Sequence, residues 1–348
     1  MRHSVNNREA AAGFKAVLSC LSMGVVLVGL TITTAQATEN AANVYPTGVE
    51  TVMPGMTPPP GATMFEEFDT TYQANRLLGP TGQSLVPNFR LSVYAFAPKF
   101  VHNWGVHVLG GTLVSAGAVP LLNMRLQIPT GVSHKTGLGN PELGIAYVAY
   151  NMGSWHWWYG LDVYTPAWSA YHKTDALNIG QHYFSTAPVA AFTYLPNHSR
   201  TELSSRVQYI VNYDNHATNY HSGNEFTWEY DGMQNVTKKL AIGVNGYYYQ
   251  QLTDDRLNGA IVANGNRGRA FDVGPEVRYH LGHLALIVKY QKDTMVQNRT
   301  RGNQFWFELG VPFGHSHTVR ASAPAPAPVP VPAPVPSVAS AGGAGGSR

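Results

Sequence analysis

The segment from Lys239 to Asp255, KLAIGVNGYYYQQLTDD, restricts the fold more than any other part of the chain. Taken two apart, Leu240, Ile242, Val244, Gly246 and Tyr248 form one set, and Ala241, Gly243, Asn245, Tyr247, Tyr249 and Gln251 the other. The first set is apolar; the second is small, polar or phenolic. A helix, with a period of about 3.6 residues, would mix the two, so the segment reads as a strand between unlike media. It runs out into Thr253, Asp254 and Asp255 and a Gly/Asn-rich loop. An apolar outside, a polar inside, membrane-crossing length and a wet loop mark a strand of a transmembrane β-barrel.

The same two-faced pattern recurs. Val207, Tyr209 and Val211 oppose Arg206, Gln208 and Asn212; Phe226, Trp228 and Tyr230 oppose Glu229 and Asp231; Phe305, Phe307 and Leu309 oppose Trp306 and Glu308. Strands are expected at about 63–76, 88–100, 104–118, 141–152, 155–166, 182–195, 200–213, 220–236, 239–252, 269–281, 283–293 and 303–313. Short connections (101–103, 153–154, 196–199, 237–238, 282) alternate with longer ones (77–87, 119–140, 167–181, 214–219, 253–268, 294–302). That alternation is the topology of tight periplasmic turns and longer extracellular loops, with an even strand number. The fold class is therefore all-β: an antiparallel transmembrane β-barrel of about twelve strands.

Compartment follows from the ends of the chain. Arg2, Arg8 and Lys15 precede an apolar run over 16–32, and Ala35-Gln36-Ala37 supplies a small-x-small cleavage site, so 1–37 reads as a signal peptide. Cys20, the only cysteine, lies within it, which leaves the mature chain without disulfides, thiolate ligands or a cysteine nucleophile. Its neighbours Val17-Leu18-Ser19 resemble a lipoprotein box faintly, but the apolar core follows rather than precedes it. Cleavage removes three basic residues and one acidic one, lowering the formal net charge from +3 to +1; nothing in that balance suits nucleic acid. Residues 38–62, with Pro54-Gly55 and Pro58-Pro59-Pro60-Gly61, are too broken for a ladder and are expected to trail in the periplasm or plug the lumen. Residues 63–313 form the barrel. Residues 314–348 form a Pro/Ala/Gly-rich periplasmic tail, a linker or a tether toward peptidoglycan.

Several motifs carry a resemblance: Tyr45-Pro-Thr-Gly48, Pro58-Pro-Pro-Gly61, Thr136-Gly-Leu-Gly-Asn-Pro-Glu-Leu-Gly144, Tyr220-His-Ser-Gly223, Gln251-Leu-Thr-Asp-Asp-Arg-Leu-Asn-Gly259 and Gly274-Pro275. In this order and spacing the chain resembles the outer-membrane transporter family named for the meta-pathway of phenol degradation. The resemblance runs from about Tyr45 to Phe313. It implies a barrel in the outer membrane of a Gram-negative bacterium, passing small hydrophobic or aromatic solutes through lumen or wall, with outer-membrane lipid, lipopolysaccharide and the barrel-assembly machinery as partners. Two departures stand out. Asn140 occupies a position where the family usually has Asp, and the Pro-rich tail places Phe313 away from the chain end.

If alternation sets the faces, the lumen receives a polar network of Arg90, Asp162, Arg206, Glu229 and Asp231, continued by Glu276, Arg278, Lys289 and Glu308. Inward Tyr94, Trp158, Tyr164, Tyr247, Tyr249 and Trp306 offer ring faces on which a flat apolar solute can stack, forming the expected substrate path. Asp254, Asp255 and Asn258 mark an outer loop; oxygen-rich as it is, it lacks calcium-site spacing and reads as a capped turn. Pairs such as His280/His283 and His315/His317 have no neighbouring residues to complete a metal set, and no metal or cofactor is expected. No Gly-x-Ser-x-Gly elbow or phosphate loop appears, so no catalytic residue is assigned and the chain is read as a non-enzyme. Two other classes fit the same strands: a structural or adhesive barrel with a shut lumen, and a barrel-embedded lipid hydrolase.

Overall fold

A computed structural model describes Glu39 and residues 43–313; the segment 1–37 expected to be a signal peptide, Cys20 and the expected tail 314–348 lie outside the described residues. The strands are β1 (Thr63–Leu77), β2 (Arg90–Val108), β3 (Gly111–Ala118), β4 (Leu121–Ile128), β5 (Gly131–Leu138), β6 (Glu142–Met152), β7 (Trp155–Tyr164), β8 (Ser185–Tyr194), β9 (Thr201–Asn212), β10 (Asp214–Asn215), β11 (Tyr220–His221), β12 (Glu225–Asn235), β13 (Leu240–Gln251), β14 (Arg256–Leu257), β15 (Ala260–Ile261), β16 (Arg269–Leu281), β17 (Leu284–Gln297) and β18 (Thr300–Phe313). Twelve of them close an antiparallel barrel in the order β1-β18-β17-β16-β13-β12-β9-β8-β7-β6-β3-β2, with β2 returning to β1. Closure gives each of these twelve strands a neighbour on both sides, which lipid demands because it offers no hydrogen bonds. The segment on β13 alternates as its sequence requires. Ile242 and Val244 are exposed on the outer face, whereas Ala241, Asn245, Tyr247, Tyr249 and Gln251 are buried in the interior.

Both ends of the barrel wall, Thr63 and Phe313, pair with each other at the end that carries the tight turns. Three connections differ from the sequence expectation. Residues 101–103 do not turn: β2 continues through them to Val108, with Gly105 at φ 68° in a bulge, and the turn is Leu109-Gly110, both at positive φ. Such paired positive φ values suit the twist of a two-residue hairpin. The span 294–302 is not a long loop, since β17 and β18 run to within two residues of each other at Asn298-Arg299.

The third difference is larger. Residues 119–140 are a hairpin, β4–β5, that extends the wall rather than leaving it. β4 continues the pairing of β3 along β2 in unbroken register, Lys99 opposite Ala118 and Phe96 opposite Leu121, with only Val119-Pro120 between. Proline removes a donor but here interrupts the ladder without ending it. β5 pairs with β4 alone, so its second edge has no strand. The β7–β8 loop fills that place: Ala170 N donates to Leu138 O at 2.9 Å, and Lys135 reaches Asn178 at 3.1 Å. At the same end, β10, β11, β14 and β15 form a separate small sheet across the outer loops.

Candidate functional site: a plugged lumen beside an apolar cavity

Residues 43–62 lie inside the barrel, held at every level by the wall. Near the short-turn end, Trp158 Nε1 donates to Pro54 O (2.6 Å), Asn103 Nδ2 to Pro58 O (2.9 Å) and Met53 N to Glu202 Oε1 (2.8 Å). Midway, Tyr45 Oη and Gly48 N both donate to Glu229, at 2.7 and 2.5 Å. Lys289 Nζ donates to Gly48 O (3.0 Å), Val49 O (2.7 Å) and Thr51 Oγ1 (3.0 Å) while pairing with Glu308 at 2.5 Å. Glu50 carries the segment's charge into the wall, pairing with Lys99 and with Arg206 Nε at 3.0 Å. Arg206 also reaches Asp162 at 2.9 Å and lies 4.5 Å over the Tyr45 ring. At the loop-bearing end, Glu39 accepts from Asn215 (2.6 Å) and Thr218 (2.9 Å). Buried charges are tolerated in low dielectric only when paired and hydrogen-bonded, and the segment supplies those partners.

Of the residues assigned to the lumen from alternation, Asp162, Arg206, Glu229, Asp231, Glu276, Arg278, Lys289 and Glu308 are buried in the interior. Arg90 and Tyr94 are a correction: both are exposed on the outward face of β2, where Tyr94 Oη donates to Asp69 at 3.1 Å. The inward face of this half of β2 is Leu91, Val93 and Ala95, so the apolar set faces in and the polar set faces out. The other aromatics expected on a substrate path are largely spoken for. Trp158 is bonded to the plug, Tyr164 Oη to Gln208 (3.2 Å), Trp306 Nε1 to Gln291 (2.8 Å), and Tyr249 lies beneath the Arg299 guanidinium at 3.8 Å. Tyr247 borders a larger open space, its hydroxyl on Asp293 at 2.8 Å.

That space is a cavity of about 580 Å³ between the plug and the β1/β2/β4 wall. Leu91, Val93, Leu122, Met124 and Leu126 form its wall, Leu85 and Phe89 of the β1–β2 loop and Leu177 and Ile179 of the β7–β8 loop its roof. Tyr45, Tyr72, Tyr247, Asp293 and Arg299 form its polar side. Composition alone did not reveal it, because the strands that build it invert the polarity used to assign the lumen; Lys99, Glu50 and Glu202 were missed for the related reason that their partners lie far along the chain.

In the outer loops, Asp255 is fully buried and accepts from Tyr220 Oη (2.7 Å), Gly223 N (2.8 Å) and Gln251 Nε2 (2.8 Å). Burial outweighs these bonds and pushes its carboxyl up to about 6. Asp254 pairs with Arg267 at 2.7 Å, and Asn258 is an exposed turn residue at φ 51°. Asn140 donates to Gln181 O (2.9 Å) and accepts from Gln181 N (2.7 Å). A carboxylate could not make the first of these bonds, which is a physical reason for Asn at this position. Among the described residues no three His, Asp or Glu side chains converge as a metal set.

A closed wall of twelve strands, a lipid-facing apolar exterior and a lumen filled by the chain's own N-terminal segment define an outer-membrane β-barrel of the plugged type. The chain belongs to the family described as "Putative MetA-pathway of phenol degradation", whose sequence profile matches residues 74–309. The fold is similar to the COG4313 outer membrane channel from Pseudomonas putida F1, with 15% identity over 73% of this chain and 96% of that one and a TM-score of 0.64. Weaker likenesses include the β domain of the Bordetella autotransporter BrkA (13% identity, 73% and 100% coverage, TM-score 0.43) and the CymD monoaromatic hydrocarbon channel (9% identity, 78% and 98% coverage, TM-score 0.39). No curated protein matches the sequence significantly.

Proposed function

We propose that this protein is a passive outer-membrane channel for small hydrophobic compounds, aromatic ones included, and that they travel through the apolar cavity rather than along the barrel axis. The cavity carries the reading. The axis is crossed by a charged, hydrogen-bonded plug, a poor path for an apolar solute. Beside the plug lie about 580 Å³ lined by Leu, Val, Met and Phe side chains, roofed by two loops and bordered by β4 and the turn at Pro129-Thr130 that joins it to β5. Apolar lining with a few polar groups on one side is the usual build of a small-molecule site. The family's name and the channel solved from Pseudomonas putida point the same way.

The direct test is uptake of radiolabelled toluene by cells whose only such barrel is this chain, against Met124→Asp and Leu126→Asp. A carboxylate in the cavity costs an apolar solute its favourable transfer, so uptake is expected to fall at least about tenfold. Uptake equal to that of cells lacking the protein would sink the channel reading in favour of a closed structural barrel; normal uptake by both variants would sink the cavity as the path.

A further inference from the structure

The outward wall holds a feature that solute passage does not use. At the loop-bearing ends of β1, β2, β17 and β18 stand Arg76, Arg90, Lys292 and Arg301, all bordering one groove. Register brings them together. Arg76 is directly opposite Arg301, Lys292 is opposite Asn303, and Asn303 is opposite Gln73. Arg90 extends β2 one residue beyond Leu91, which is opposite Ala74. Arg76, Arg90 and Lys292 are exposed and Arg301 is half-buried. Among the described residues none of the four takes part in an ion pair, whereas Lys99, Arg206, Arg278 and Lys289 inside the barrel are each paired.

The groove's one acid, Asp293, is buried and already accepts from Tyr72, Tyr247 and Gly302 N, so the four cations repel one another within a screening length and the arrangement is stabilised by an anion from outside. Depth says which one. Two to four residues toward the membrane on the same outward faces stand Tyr94 on β2, Tyr290 on β17 and Phe305 on β18, exposed by 49%, 37% and 48%. Exposed aromatic rings in a barrel mark the boundary between hydrocarbon and headgroups. The cations lie just beyond that boundary at the outer end, the level of the headgroups of the outer leaflet. Arginine forks match phosphate oxygens bidentately, and the amides of Gln73, Asn75 and Asn303 in the same groove add donors. We infer that Arg76, Arg90, Lys292 and Arg301 form a binding site for the phosphate groups of an outer-leaflet glycolipid, fixing one side of the barrel to its membrane.

The test uses the full chain extracted from outer membrane in mild detergent, with retained lipid counted by native mass spectrometry. Bisphosphorylated lipid A is expected to be retained at least about tenfold more than the same lipid stripped of phosphate, with the difference shrinking as salt rises. Replacing all four residues by Gln should abolish the preference, while R76K/R90K/R301K, which keeps the charges, should preserve most of it. Folding of each variant is checked independently by its heat-modifiable migration on gels. Equal retention of the phosphate-free lipid, or an unchanged preference in a folded quadruple Gln variant, overturns the site. Displacement of the lipid by millimolar pyrophosphate would show a free-phosphate site instead and overturn the lipid assignment.

Discussion

Gly48 shows how tightly single residues seat the plug. Its φ of +95° lies in the region that side chains rarely adopt, and a Cβ there would stand 2.5 Å from Gln291 Oε1 and 2.9 Å from Tyr247 Cδ1. At the same residue the amide meets Glu229 and the carbonyl meets Lys289 and Gln291. Gly48→Ala therefore adds about 1–2 kcal/mol of backbone strain to a steric overlap, and the segment around it should leave its seat. Single-channel recordings in a planar bilayer are expected to show larger or more frequent openings than wild type; identical traces would mean the seat tolerates the methyl. The inward position of Glu229, Arg206 and Lys289 was legible from alternation. Their partners were not, because Tyr45 and Glu229, or Gly48 and Lys289, lie 184 and 241 residues apart in the chain.

Elements decide where the wall is weak. β4 and β5 stand where two prolines, Pro120 and Pro141, argue for a loop, yet pairing along β2 carries the ladder past the first of them. The cost is an edge on β5 that only the β7–β8 loop covers. Gly137, within the TGLGNPELG motif, lets that loop approach: a Cβ there would lie 2.6 Å from Ala170 Cβ. Gly137→Val should lift the loop, with its Leu177 and Ile179, from the cavity, so toluene uptake is expected to rise rather than fall; a decrease would show that the loop holds the path in shape. The small outer sheet makes a pH prediction. A carboxyl raised to about 6 in the fold, against about 3.9 unfolded, binds its proton more tightly when folded. Its stabilising contribution is complete below about 4 and is lost as pH rises through about 6. Protease nicking of the loop after β13 should be slower at pH 5 than at pH 7.5, and Asp255→Asn should remove that dependence. The motifs themselves gain a common meaning at this scale. YPTG and PPPG belong to the plug, while YHSG and QLTDDRLNG lock the outer loops around Glu39 and Asp255.

At the scale of the whole molecule the plug and the lumen charges stabilise each other. Removing one partner of a buried ion pair costs about 3–5 kcal/mol, since the survivor stays buried without compensation. Deleting residues 43–60 takes a partner from Arg206, Glu229, Lys289 and Lys99 at once, leaving Arg206 with Asp162 and Glu229, Lys289 with Glu308 and Lys99 with Glu142. The deletion is expected to convert the barrel into a water-filled pore of several-fold higher conductance, with a lower temperature of heat-modifiable unfolding; conductance unchanged from wild type would mean that the lumen is shut by something other than this segment. The sequence by itself determined the barrel: period-two alternation between lipid and interior, twelve strands, tight turns at one end, and which face of β13 meets the membrane. Such local periodicity is written in neighbouring side chains, because each must match the medium it faces. Only the tertiary structure decided what fills the interior and where it remains apolar. The plug's partners come from the far side of the chain, the hairpin β4–β5 is defined by its neighbour β2 rather than by its own prolines, and the cavity arises where β2 turns its apolar face inward. Polarity alternation identified the lipid face on strands such as β13, but on β2, where Leu91, Val93 and Ala95 face inward, the inside is set by barrel closure.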